Sequence, residues 1–326
     1  MTQSSPNAMA RYTFAIVVFV VLLAGFWVEV HAVGIGQALG GHIASAFICF
    51  ALLLAPLWFF GFGIADAFRN IASPAARVLL PSALAVPYLA FSIPRLEFQW
   101  GYAVVLVVIP VAAAALLEFS KLGQKLTWQD AIVLLSLALI LEVRLLAGAW
   151  PYPGLGSLPK IYLADVAIYV YLVNRRLEGV GYSFFPSFSA YAIGLREWVF
   201  FAPIGIGLGL ALHFIRFHPR VHSALDVVGA LLVTFLLTAV PEELFFRGVL
   251  QNILEPLMGR GRALFLASAL FGLSHFHKGA AFNWRYVLLA FLAAIFYGRA
   301  WRSRRQLLAS STTHTLVDVV WSLLFR

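Results

Sequence analysis

The sequence predicts an all-α protein, a polytopic bundle of about eight to eleven transmembrane helices. Two observations carry that expectation. Of the 326 residues, 62% are hydrophobic and only 11% are charged, where a soluble domain would be near a quarter charged. Apolar runs approaching the ~20 residues that a bilayer requires recur along the whole chain. In that setting a net charge of +9 does not speak for nucleic acid, because Lys and Arg mark cytoplasmic loops and contact anionic headgroups. The single cysteine, Cys49, excludes an internal disulfide and any Cys-based zinc pattern.

The elements follow in order. The run 13–30, preceded by Arg11, is long enough to span and reads as a retained first helix rather than a cleaved signal peptide. Further runs lie near 43–65, 76–94, 101–118 and 131–150. Glu142 and Arg144 read as a structural pair in the last of these, or at its end. The Pro/Gly-rich stretch 149–160 is the clearest loop. It suggests an N-terminal helical region, 1–180, without a motif, and a second region, 190–326. The segment 161–173 is short for a span, and 182–198 reads as an interfacial amphipathic helix. Apolar runs resume at 197–215, 224–253, 263–277, 286–298 and 307–325. The two halves show no repeat, which weakens a transporter built on inverted repeats.

Orientation is read from arginines. Arg260 and Arg262 lie in one loop, and Arg299, Arg302, Arg304 and Arg305 in another. If the helices between them cross, both loops share a side, and six arginines make it cytoplasmic. Arg216 and Arg220 resist this scheme by falling on the other side. Counting inward at about 1.5 Å per residue, Glu242, His275 and His314 come to similar depth below the arginine-bearing surface.

The chemistry sits in the second region. Glu242 and Glu243 follow an apolar run in which each acid costs about 2.5 kcal/mol or more to insert. Glu243 and Arg247 form an i,i+4 pair, and Glu242 is rotated by about 100° from it. Pro241 cannot donate to the carbonyl of Leu237 and is expected to kink the helix or open a polar spot there. His314 and Asp318 form a second i,i+4 pair in which Asp318 can orient the imidazole. Phe271, one turn before His275, can pack on its ring.

The segments PEELFFRGVLQ (241–251), FGLSH (271–275) and HTLVD (314–318) resemble, in order, the EExxxR, FxxxH and HxxxN/D motifs of the CAAX-protease and bacteriocin-processing (CPBP, Abi) family. The resemblance covers about 190–326 and implies an intramembrane glutamic endopeptidase. By motif position it implies Glu242 as general base with His275, and His314 with Asp318 as support for the oxyanion. Glu243 and Arg247 would be the assisting pair. Where many members have Asn, this chain has Asp318. An ionised carboxylate would repel an oxyanion, so Asp318 is expected to hold His314 rather than contact the substrate.

The expected reaction is hydrolysis of a peptide bond in a membrane-associated or lipidated protein or peptide, at the cell membrane, in a cavity opening towards the cytoplasm. No cofactor is expected. The alternative is a zinc site of Glu242, His275 and His314, although HExxH is absent. A transporter and a non-catalytic scaffold are the readings outside proteolysis. The expected partners are membrane lipid and a protein or peptide substrate, with no nucleic acid.

Overall fold

A computed structural model describes residues 8–32, 39, 41–120, 123, 125–279 and 282–326. It is all-helical: among the described residues there is no strand, only an isolated antiparallel bridge between Phe217 and Phe325. Six helices among them are long and apolar enough to cross a membrane: Met9–His31, Ile43–Phe60, Pro74–Ser92, Trp100–Glu118, Phe188–Ala211 and Ala224–Met258. The protein is a multi-pass helical membrane protein. The chain divides into two compact units, residues 1–120 with 139–175, and 121–138 with 176–326.

The first unit contains α1 (Ala8–Ala32), α2 (Ile43–Phe60), α3 (Ala65–Arg69), α4 (Pro74–Leu79), α5 (Val86–Ser92) and α6 (Trp100–Glu118). Helix α7 (Trp128–Glu142) ends at Glu142, so Glu142 and Arg144 stand at a helix terminus. The segment too short to assign as a span, 161–173, lies in α8 (Leu158–Tyr169) and its π-helical continuation Val170–Asn174. Every residue from Ile161 to Val173 is buried, as expected of a helix that is apolar all round. A buried ion pair of Arg77 with Glu118 joins α4 to α6, and Asn174 donates to the same carboxylate at 2.9 Å.

The second unit holds the motifs. Its first long helix corrects the sequence reading at 182–198. There is one helix, α9 (Phe188–Ala211), in place of an interfacial helix followed by a span. Ser187 caps it by accepting from Ala190 N at 3.3 Å, which fixes its start. The next element is a continuous 35-residue helix, Ala224–Met258. It comprises α10 (Ala224–Thr234), the π-helical Phe235–Ala239, α11 (Val240–Glu243), the π-helical Leu244–Gln251 and α12 (Asn252–Met258). Pro241, which removes one donor from the ladder, is accommodated by these wider turns on both sides of the glutamates. Helices α13 (Arg260–Leu273), α14 (Trp284–Arg304) and α15 (Leu307–Leu324) follow. These three are not among the six apolar spans. Helix α13 has 14 residues, and α14 and α15 carry arginines, hydroxyls and the site's own His314 and Asp318.

One end of this unit is arginine-rich. Arg302 donates to Arg260 O at 3.3 Å and Arg304 to Ser189 Oγ at 3.3 Å, while Arg196 and Arg299 share the buried Glu197. At the other end the backbones of 216–218 and 324–326 pair, with Arg216 N donating to Arg326 O at 2.7 Å and His218 N to Leu324 O at 2.8 Å. Ser223 and Asp226 form a capping box there, so Asp226 is a helix-end acid. Two glycines set the helix separations. A Cβ on Gly272 of α13 would meet Val287 O of α14 at 2.8 Å, and one on Gly194 of α9 would meet Ala309 O of α15 at 2.7 Å. Ser310, Thr312 and Thr313 bond back to their own helix, and Thr313 also donates to Gly194 O at 3.0 Å.

Candidate active site

The six motif residues lie in one cluster within the second unit. Glu243 and Arg247 are both fully buried, with Arg247 Nε 3.2 Å from Glu243 Oε2. Arg247 also donates from Nη2 to Ala294 O at 2.9 Å, and its guanidinium lies 4.9 Å from the Phe271 ring and 5.5 Å from that of Tyr297. The other oxygen of Glu243 meets His314 Nδ1 at 2.9 Å. Glu243 therefore bridges Arg247 and His314.

That bridge adds a partner that spacing did not indicate. Asp318 does stand beside His314, at 3.5 Å from Nε2. The nitrogen on the far side, Nδ1, meets Glu243, so a second group that holds the imidazole comes from another helix. The His314 ring is 2% exposed and stacks parallel on Tyr297, with centroids 4.5 Å apart and planes at 12°. Its Nε2 faces Glu242 Oε2 at 3.8 Å.

His275 sits just past the C-terminus of α13, in the turn that leads to α14. Its Nδ1 is 2.9 Å from Phe271 O, which can only accept, so the proton of the neutral ring is on Nδ1. Phe271 packs on that ring at 4.9 Å, as its spacing suggested. Nε2 of His275 is 3.1 Å from Lys278 Nζ, and the same ammonium lies 4.0 Å from Glu242 Oε1. Lys278 and Tyr297 are site residues that sequence reasoning missed. Lys278, three positions after His275, had a legible signal in its spacing; Tyr297 is one of eleven tyrosines and had none.

A cavity of about 90 Å³ adjoins the cluster, lined by His275, His314 and Asp318 at the polar side and by residues such as Phe201, Tyr286 and Trp321 elsewhere. Its lining draws mainly on the C-terminal half of α9, the N-terminal half of α14 and the C-terminal half of α15, with Tyr297 and His314 from the other halves of their helices. The three main halves are those distal to the arginine cluster. Helix α13 has 14 residues, which places His275 just past its far end. Among the described residues no three His, Cys, Asp or Glu side chains are arranged to hold a metal ion.

Residues 224–320 match the family described as Rce1-like, type II CAAX prenyl endopeptidase Rce1-like. This region belongs to the CAAX-protease and bacteriocin-processing family. No curated protein and no solved structure matches the chain. The CAAX-protease-like region contains all three motifs and the whole cluster, and residues 1–223 lie outside the match. Membership points to a protease whose substrate is a protein in a membrane.

Proposed function

We propose that the protein is an intramembrane glutamic endopeptidase in which Glu242 is the general base. The observation that carries this reading is the geometry around His314. The imidazole is held on Nδ1 by one buried carboxylate and faces a second carboxylate, Glu242, across 3.8 Å on Nε2. That gap exceeds a hydrogen bond and suits an intervening water or substrate atom. An ionised Glu243 only accepts, so Nδ1 carries a proton. An imidazolium carries one on Nε2 as well, and offers a donor rather than a lone pair towards Glu242, Asp318 and the cavity.

In the reaction, Glu242 takes a proton from water, whose oxygen attacks the scissile carbonyl carbon. The carbonyl π electrons move to oxygen, and the Nε2–H of His314 stabilises the oxyanion. Collapse breaks the C–N bond, and Glu242 returns its proton to the leaving amine. The acyl fragment leaves as a carboxylic acid, which gives its remaining proton to solvent. Asp318, 34% exposed, acts by holding His314. A zinc version is disfavoured by Lys278, whose ammonium occupies the Nε2 lone pair of His275 that a metal would need. The apolar lining of the cavity suits the apolar flanks of a membrane-embedded or lipidated substrate.

The family description makes a farnesylated peptide with a C-terminal CAAX sequence the first probe. With the full chain in detergent, cleavage of that probe is expected to persist in excess chelator. Glu242→Gln, which keeps the shape and removes the base, is expected to slow it by about 10²–10⁴-fold. Cleavage by Glu242→Gln at the wild-type rate would remove the glutamic assignment.

A further inference from the structure

The reaction above gives no task to Lys278, although Lys278 is built into the site. Its backbone is fixed on both sides: Lys278 N donates to His275 O at 3.2 Å, and Lys278 O accepts from Asn283 Nδ2 at 3.0 Å. Asn283 in turn caps α14, accepting from Tyr286 N at 3.3 Å. The side chain is 45% exposed, yet it turns inward to place Nζ 3.1 Å from His275 Nε2. An ammonium has three donors, of which that contact uses one.

The two oxygens of Glu242 are flanked on either side by donors at matching range. His314 Nε2 lies 3.8 Å from Oε2 and Lys278 Nζ lies 4.0 Å from Oε1. Neither distance is a hydrogen bond, and the cavity lined by His275 and His314 adjoins these groups. From this geometry we infer that Lys278 is a catalytic residue, the second donor of the oxyanion hole opposite His314. The inference rests on the endopeptidase reading. His275 then has its own role: its Nε2 lone pair anchors the flexible lysine so that the ammonium is in place before charge develops. As the carbonyl π electrons move to oxygen, Lys278 donates a hydrogen bond to the oxyanion and keeps its proton. Glu242 alone carries the proton from water to the leaving amine, so the step balances.

The test compares Lys278→Met, Lys278→Arg and Lys278→Cys with wild type and Glu242→Gln, as full chains in detergent, on the farnesylated CAAX peptide. Thermal unfolding of each verifies the fold. Loss of one oxyanion donor lowers kcat by about 10²–10³-fold. Lys278→Met is expected to show that loss with KM within a few-fold. Treating folded Lys278→Cys with 2-bromoethylamine rebuilds an ammonium at nearly the same reach and is expected to recover most of kcat. The sole native thiol, Cys49, is buried, and treated wild type is the control. A kcat for Lys278→Met close to wild type would overturn the inference. So would a loss that neither aminoethylation nor Lys278→Arg repairs, since that marks a structural role. If wild type shows no Glu242-dependent cleavage, the endopeptidase reading falls and this inference falls with it.

Discussion

Arg247→Met is the most exacting perturbation of the site, because Arg247 touches the chemistry only through Glu243. Its guanidinium is fully buried, faces Glu243 at 3.2 Å and Ala294 O at 2.9 Å, and lies against the rings of Phe271 and Tyr297. Methionine keeps the apolar stem and the volume near those rings. What it removes is the positive charge, which leaves the Glu243 carboxylate at 0% exposure with His314 as its remaining ionic partner. Breaking a buried pair from one side costs about 3–5 kcal/mol, mainly through the stranded charge. The same argument gives a sign for the double variant. Adding Glu243→Gln to Arg247→Met removes the stranded carboxylate, so about 2 kcal/mol or more of the loss should return, a coupling typical of residues in contact. Equilibrium unfolding in mixed micelles measures all four corners of this cycle. All three variants should cleave poorly, since each loosens the anchor of His314 Nδ1. An Arg247→Met cost below ~1 kcal/mol, or costs that simply add in the double variant, would refute the reasoning.

Three further outcomes are expected. Asp318→Asn keeps an acceptor beside His314 Nε2, so cleavage should stay within about tenfold of wild type; a loss as large as that of His314→Ala would count against a holding role. Gly272→Val places a branched Cβ against Val287 O, 2.8 Å away, and Phe291 Cβ, 2.9 Å away, and should cost about 1–3 kcal/mol while lowering the cleavage rate by displacing His275. Arg220→Cys and Ser303→Cys lie at the cavity end and the arginine end of the second unit, so a membrane-impermeant thiol reagent should reach them from opposite sides of sealed, oriented vesicles. Labelling of both from one side would contradict the assignment of ends.

The three motifs were legible because acids and imidazoles are costly in an apolar chain, so each occurrence there is informative. What spacing could see was the partner four positions away in the chain: Arg247 for Glu243, Phe271 for His275, Asp318 for His314. It could not see that Glu243 reaches across to His314, 71 positions away, because no periodicity encodes a contact between helices. Boundaries failed for local reasons. Hydropathy joined 197–215 into a span and left 182–198 apart, whereas the capping hydroxyl of Ser187 starts one helix inside the earlier stretch that runs on to Ala211. Pro241 was expected to kink its helix or open a polar spot there; π-helical turns flank it on both sides, and the helix runs on to Met258. The run 263–277 also misplaced a helix at both ends, since α13 starts at Arg260 and stops at Leu273.

A charge argument connects the site's stability to its chemistry. The cluster holds three carboxylates, Glu242, Glu243 and Asp318, against the cations Arg247 and Lys278, and it reaches neutrality when His314 is an imidazolium. Neutrality matters in proportion to burial. Glu243 and Arg247 are fully buried and His314 nearly so, and no water screens a change there. Asp318, at 34%, and Lys278, at 45%, are open enough for solvent to offset a lost charge. Removing Lys278 should therefore slow the reaction with little effect on folding, whereas removing Arg247 should damage both. The two cations flank one site, and burial alone predicts that their variants separate on a plot of stability against rate.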